Sequence, residues 1–296
     1  MKKPNLFIVG APKCGTTAMD GFLSQHPDIF MAQKEIHYFG DDLNIQQPKL
    51  SEDAYLDLFK NGQEKKILGE SSVWYLFSQQ AAEQIKQYSP DAKIIIMLRN
   101  PVSMVPALHR QNLYDANEDI TDIEEAVAAI EDRKKGKRLP KNPEHLSCLF
   151  YTDAVKYYAQ VKRYTDVFGE NVHVIIYDDF KADNLKVFKE VLHFLQLPTG
   201  FEPAIDLVNT AKKLRNQKVQ QLVKRPHGPL RSMVRILMPY KPARHFIMQK
   251  METWNLQKAT ATDASSSLKK YIQDAVKEDI LKLSNLLQRD LSSWLK

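Results

Sequence analysis

Leu6-Phe7-Ile8-Val9-Gly10-Ala11-Pro12-Lys13-Cys14-Gly15-Thr16-Thr17, with Ala18 to Gln25 behind it, is the stretch that decides the fold. The unbroken apolar run Leu6 to Val9 suits a parallel strand covered on both faces. Gly10 to Thr17 forms a glycine-containing turn. From Ala18 to Gln25 apolar residues recur at helical spacing, and the helix stops before His26-Pro27, where proline cannot continue it.

Further along, Lys93 to Leu98 is a second core strand, followed by Arg99-Asn100-Pro101. Ile67 to Glu70 and Val172 to Tyr177 are further strand segments, and Ile36 to Phe39 is a short segment before the first of them. Helical spacing is expected near Glu52 to Lys60, at Tyr75 to Gln87, at Leu149 to Phe168 and at Leu185 to Leu195. Strands alternating with helices predict an α/β three-layer sandwich around a mostly parallel sheet, with C-terminal helices. Residues 1–296 are expected to form a single domain.

Three regions stand apart. Residues 115–145 open acidic with Glu118, Asp119, Asp122, Glu124 and Glu125, carry a helical patch at Ile123 to Ile130, and continue into the basic run Arg133 to Arg138. They read as an insertion or lid, with the acids on an exposed helix face. Residues 208–250 are strongly basic and broken by prolines. In residues 266–288, Leu268, Ile272, Val276, Ile280, Leu283 and Leu287 recur at steps of three and four, as in a helix that docks one face on the domain.

Forty-two basic against 36 acidic residues give a formal charge of +6, compatible with an anionic ligand and not diagnostic of one. No window approaches the ~18 consecutive apolar residues of a membrane span, and the opening residues do not read as an export signal. Two cysteines, Cys14 and Cys148, make no disulfide framework. The expected compartment is therefore the cytoplasm.

The loop Gly10 to Thr17 has the two glycines and the hydroxyl of a nucleotide-phosphate loop, but Thr16 occupies the lysine position and Lys13 lies inside the loop. Backbone N–H groups at a helix start still suit an anion there. Loop shape alone leaves ATP and a phosphosulfate nucleotide both open.

Pro12 to Thr17 resembles the 5'-phosphosulfate loop of the PAPS-dependent sulfotransferases (PAPS being 3'-phosphoadenosine 5'-phosphosulfate), specifically the bacterial branch related to the Golgi carbohydrate (heparan-type) enzymes. The resemblance continues at Lys34 to Phe39, Gly69 to Leu76, Lys93 to Val102 and Arg289 to Leu295, in family order and over almost the whole chain. It implies a P-loop kinase-like fold and transfer of a sulfuryl group from PAPS, leaving 3'-phosphoadenosine 5'-phosphate (PAP), without a metal. It implies an acceptor hydroxyl or amine on a carbohydrate, glycolipid or small polar natural product, and no nucleic acid partner.

By the same resemblance, Lys13, Cys14, Gly15, Thr16 and Thr17 line the phosphosulfate, with Lys13 at the leaving phosphate. Arg99 grips the 3'-phosphate. The serine usual eight residues later is Ala107 here, so Ser103 or His109 stands as a substitute. Glu35 is the candidate base and His37 its fallback; an extended segment from 35 to 39 would put both on one face. Lys34 would then face away. Glu70, Ser71 and Trp74 are expected toward the acceptor, and Lys212 with Arg215 in a basic loop over the nucleotide. The rival readings are a nucleotide kinase and a non-catalytic anion or nucleic-acid binder.

Overall fold

A computed structural model describes residues 1–141, 143–204, 212–224, 240, 250–251, 253–258 and 265–296. They fall into two compact units, Met1–Val105 with Thr152–Val208 and Ser266–Lys296, and Pro106–Tyr151 with Asn209–Ser265.

The first unit is built on a five-stranded sheet: β1 Leu6–Gly10, β2 Ile29–Met31, β3 Ile67–Ser71, β4 Lys93–Leu98 and β5 Val172–Ile176, in the order β2-β3-β1-β4-β5. Every neighbouring pair is parallel. The α/β reading therefore holds. Leu6, Phe7, Ile8 and Val9 are completely buried, and burying each such side chain contributes about 1.5–3 kcal/mol. Because β1 lies between β3 and β4, the chain leaves it in opposite directions on its two sides. The crevice beyond the carboxyl ends of such central strands is where open α/β sheets bind ligands.

The helices of this unit that matter for the site are α1 Thr16–Leu23, α2 Glu52–Asp57 and α3 Ala81–Tyr88, with the start of α4 Pro101–Tyr114. Two of the expected helices change their bounds, and one strand is new. Strand β2 was not foreseen. The helix expected from Tyr75 begins only at Ala81, because Leu76 N–H goes to Val9 O (2.8 Å) and Ser78 Oγ accepts from Ala81 N–H (2.9 Å). The helix expected over 149–168 is broken at Val155-Lys156, and its longer part runs from Tyr157 to Phe168. The C-terminal helix, Ser266–Leu286, buries Leu268, Ile272, Val276, Ile280 and Leu283, and its Asp279 accepts from Tyr158 N–H at 3.1 Å.

In the second unit, Glu118 is not on an exposed acidic face. It is completely buried and paired with Arg133, whose Nη1 and Nη2 donate at 2.8 and 2.7 Å. Tyr151 Oη also donates to it, at 2.7 Å. Ile123–Ala128 and Ile130–Lys134 are separate short helices. Lys212–Leu214 and Leu256–Lys258 form an antiparallel pair, and helix Gln217–Lys224 is tied in by Gln217 Nε2 to Glu118 O (2.8 Å) and Gln220 Nε2 to Tyr114 O (2.7 Å). Most of the basic stretch 208–250, with all four of its prolines, lies outside the described residues. Among the described residues no helix is long and apolar enough to cross a membrane.

Candidate active site

The carboxyl ends of the strands carry the site. At the end of β1 the chain turns at Gly10, where a Cβ would lie 2.6 Å from Val73 O and 2.7 Å from Leu76 Cβ. The loop then passes through Lys13 at φ 62° and Gly15 at φ 90° into α1. A Cβ on Gly15 would stand 3.1 Å from the Tyr177 ring, so glycine is needed both for the left-handed backbone and for the space. No side chain caps α1. Its first-turn N–H groups thus carry the uncompensated donors and dipole that favour an anion. Thr17 is exposed on that first turn, while Thr16 is buried.

Arg99 follows β4 directly. Its Nη1 donates to Lys13 O at 3.2 Å, its guanidinium lies 4.7 Å over the Tyr177 ring, and its carbonyl accepts from Tyr157 Oη at 3.1 Å. The phosphate loop and the arginine are thereby one assembly, with Tyr177 packed against both. The sequence reads Tyr177 as the last residue of the strand Val172 to Tyr177. An aromatic at the carboxyl edge of a parallel strand was the available signal.

Cys14 is completely buried, with its thiol donating to Pro12 O at 3.3 Å. Burial pushes that thiol up to about 12 despite the neighbouring Arg99. It fills the loop and does not meet a ligand through sulfur. Ser103 is exposed in the first turn of α4, whereas Ala107 is buried. His109 is buried, with Nε2 2.9 Å from Ile120 O, so its ring is already engaged. Lys212 and Arg215 belong to the second unit; Arg215 is exposed, its guanidinium 5.6 Å from the Trp254 ring.

Glu35 and His37 do meet, though not by extension. Both have positive φ, 58° and 52°, and this double kink brings His37 Nε2 to 3.2 Å from Glu35 Oε2. The same Oε2 accepts from Val73 N–H at 3.2 Å, and Glu35 N–H donates to Ser71 O at 2.8 Å. Lys34, expected to face away, instead donates to Ser71 Oγ at 2.7 Å. The Glu35 side chain is 36% exposed and that of His37 only 4%, so the carboxylate alone faces outward.

Glu70, Ser71 and Trp74 were expected to face an acceptor, and burial gives them another place. Glu70 is completely buried and accepts from Tyr55, from Ser72 Oγ (2.8 Å) and from Tyr75 Oη (2.6 Å). Burial raises its pKa even so. Ser72 Oγ in turn accepts from His37 N–H at 3.1 Å, which makes Glu70 the hidden support of the Glu35–His37 turn. Ser71 is buried against Lys34, and Trp74 packs edge-on to Phe77 with ring centroids 6.0 Å apart.

The arrangement is an anion cradle and a planar cation at the ends of β1 and β4, with an outward carboxylate at the end of the adjacent β3. The family described as a sulfotransferase domain matches residues 3–278. The chain belongs to the sulfotransferase family. A crystal structure of a sulfotransferase from Alicyclobacillus acidocaldarius superposes over 100% of both chains with a TM-score of 0.73 and 29% identity. The sulfotransferase domain from the curacin biosynthetic pathway, at 14% identity, a TM-score of 0.50, and 98% and 100% coverage, shares the fold. Among curated proteins, mouse heparan sulfate glucosamine 3-O-sulfotransferase 6 is 32% identical over 112 residues, and mouse carbohydrate sulfotransferase 15 is 31% identical over 172. These matches cover 37% and 42% of this sulfotransferase and span 31% and 30% of the relatives' own length.

Proposed function

We propose that this protein transfers a sulfuryl group from PAPS to a hydroxyl or amine of a carbohydrate, glycolipid or small polar natural product. The observation that carries the reading is the contact of Arg99 with the carbonyl of Lys13, which joins a phosphate-type arginine to a loop whose lysine is displaced from the kinase position. The residues present fit such a donor: an uncapped helix start, a glycine cradle backed by Tyr177, and a guanidinium suited to bidentate phosphate contact.

The donor supplies an activated sulfuryl group on a phosphate leaving group. Lys13 and the first turn of α1 hold the 5' end and offset charge on the departing phosphate oxygen. Arg99, with Ser103 exposed in the first turn of α4, holds the 3'-phosphate. Glu35 takes the acceptor proton, and His37 with Val73 N–H fixes the carboxylate's direction. Positioning and charge stabilisation are the main sources of rate in such a site. The two cysteines, both buried and unpaired, support a reducing, cytoplasmic setting.

Calorimetry with PAP alone and with magnesium-ATP tests the reading. PAP binding that needs no metal, weakened by about 1.5–3 kcal/mol in Arg99→Ala, is the expected result. Magnesium-dependent ATP binding with PAP ignored would return the chain to the kinase-like class.

A further inference from the structure

The segment Arg289 to Leu295 has no part in the site described so far, yet its side chains reach the elements that hold Arg99. Beyond the helix Ser266–Leu286 the chain folds back on itself. Arg289 N–H donates to Ser284 O at 3.0 Å, Trp294 N–H to Leu291 O at 3.0 Å, and Gln273 Nε2 to Lys296 O at 2.9 Å. Leu291 and Trp294 are each 2% exposed, so the fold-back is packed against the domain.

Two contacts leave this segment for the donor side. The Trp294 indole meets the Tyr157 ring edge to face, with centroids 6.3 Å apart, and Tyr157 Oη donates to Arg99 O at 3.1 Å. Tyr157 is completely buried and opens the helix Tyr157–Phe168, so its ring is enclosed between Trp294 and the Arg99 carbonyl. The Arg289 guanidinium pairs with both oxygens of the Asp179 carboxylate, with Nη2 to Oδ1 at 2.8 Å. A two-pronged pair of this kind fixes direction as well as distance. Asp179 lies in the first turn of the helix Tyr177–Ala182, two residues from the ring over which the Arg99 guanidinium sits at 4.7 Å. The carbonyl and the guanidinium of Arg99 therefore each rest on an element that this segment fastens.

We propose that Trp294 and Arg289 are positioning residues for the nucleotide donor: Trp294 through Tyr157, and Arg289 through Asp179 and the turn that carries Tyr177, hold Arg99 in the direction that binds phosphate. This rests on the function proposed above, in which Arg99 takes the 3'-phosphate. Both residues act through Arg99 and not on the nucleotide itself.

The test is a double-mutant cycle read by calorimetry with PAP. Trp294→Leu and Arg289→Gln should each weaken PAP binding by roughly twofold to tenfold, the range of one lost hydrogen bond. Trp294→Phe keeps an aromatic edge against Tyr157 and should restore most of that loss. In an Arg99→Ala background each change should cost less than about a further twofold, because the group it acts through is gone. A purely structural role would lower the melting temperature and leave the PAP affinity of the folded protein unchanged, or add its full effect in the Arg99→Ala background. Either result overturns the proposal. Should Trp294→Leu fail to fold, Tyr157→Phe keeps the ring, removes only the bond to Arg99 O, and must give the same non-additive cycle. A wild-type protein that ignores PAP sinks the functional reading instead. The hold on Arg99 is then read from its Nε–H resonance, which Arg289→Gln and Trp294→Leu should shift; an unmoved resonance sinks the positioning role independently.

Discussion

His37 Nε2 lies 3.2 Å from Glu35 Oε2, with the histidine ring enclosed and the carboxylate at the surface. The two candidates for proton removal thus differ in exposure: Glu35 stands at the surface, while the His37 ring is enclosed beside it. Their order along the chain did not distinguish them. Burial does.

Glu35→Gln keeps the shape of that turn and removes the base, so kcat for sulfuryl transfer should fall by roughly a hundredfold to ten-thousandfold with PAP affinity preserved. His37→Asn should cost less, and mainly in kcat, because it loosens the carboxylate without removing it. Steady-state kinetics on both variants checks the order. A His37 variant more impaired than the Glu35 variant would make the histidine the base.

Gly15→Ala tests the cradle. At φ 90° an L-residue is strained, and the new methyl would stand 3.1 Å from the Tyr177 ring that also carries Arg99. Relief requires Tyr177 to move and Arg99 with it. A stability loss of about 1–3 kcal/mol is expected from the backbone alone. PAP affinity should fall further than that loss explains, measured by denaturation and calorimetry together. Unchanged PAP affinity would show that Tyr177 does not transmit to the arginine.

Asp20 of α1 is only 8% exposed, with Oδ2 buried and unpartnered, and this has a consequence for stability. Its carboxyl rises from an ordinary 3.8 to about 6 on folding. The folded chain therefore binds that proton more tightly than the unfolded one, and stability declines as pH rises between those values. Above pH 6 the whole penalty is present, on the order of 3 kcal/mol for a shift of this size. Asp20→Asn should consequently melt higher than wild type at pH 8 and close to it at pH 4. Equal melting temperatures at both would mean that burial does not tax the carboxylate.

The parts of the molecule legible in sequence were those decided by local pattern. Ile94 to Leu98 is an uninterrupted apolar run, and the segment Lys93 to Leu98 read as a strand is β4 to the residue. Strand β2 has three residues and only one of them buried, so no periodicity could announce it. Tyr75 and Leu76 continue a helical pattern yet are claimed by partners on the strands, Glu70 of β3 and Val9 of β1. The loop lysine and Arg99 were readable because each sits directly beyond a strand. Glu70 looked like a ligand residue since sequence shows a carboxylate's charge and not its burial. The positive φ values at Glu35 and His37 follow from their bonds to Val73 and Ser72, 38 and 35 residues away, which no local window contains.

Arg133 is the sharpest case of that limit, and it yields the last prediction. It stands in the basic run of the stretch read as an insertion or lid, yet its side chain and that of Glu118 are both 0% exposed. Burial pushes the Glu118 carboxyl up, but the Arg133 guanidinium, Ile120 N–H and Tyr151 Oη outweigh it and hold the pKa below its ordinary 4.5. The unfolded chain therefore takes up this proton first, and the stability that the pair supplies is present at neutral pH and lost as pH falls below about 4.5. Removing one partner leaves the other buried and uncompensated, at a cost of about 3–5 kcal/mol. Arg133→Met should thus unfold at much lower denaturant at pH 7. The double change Arg133→Met with Glu118→Leu should recover most of that loss, since no lone charge remains. Gln217 bonds the Glu118 backbone carbonyl, so helix Gln217–Lys224 should stay in place in the double variant and be loosened in the single one. Hydrogen exchange of that helix separates the two. Equal protection in both variants would show that the ion pair supports only its own helices.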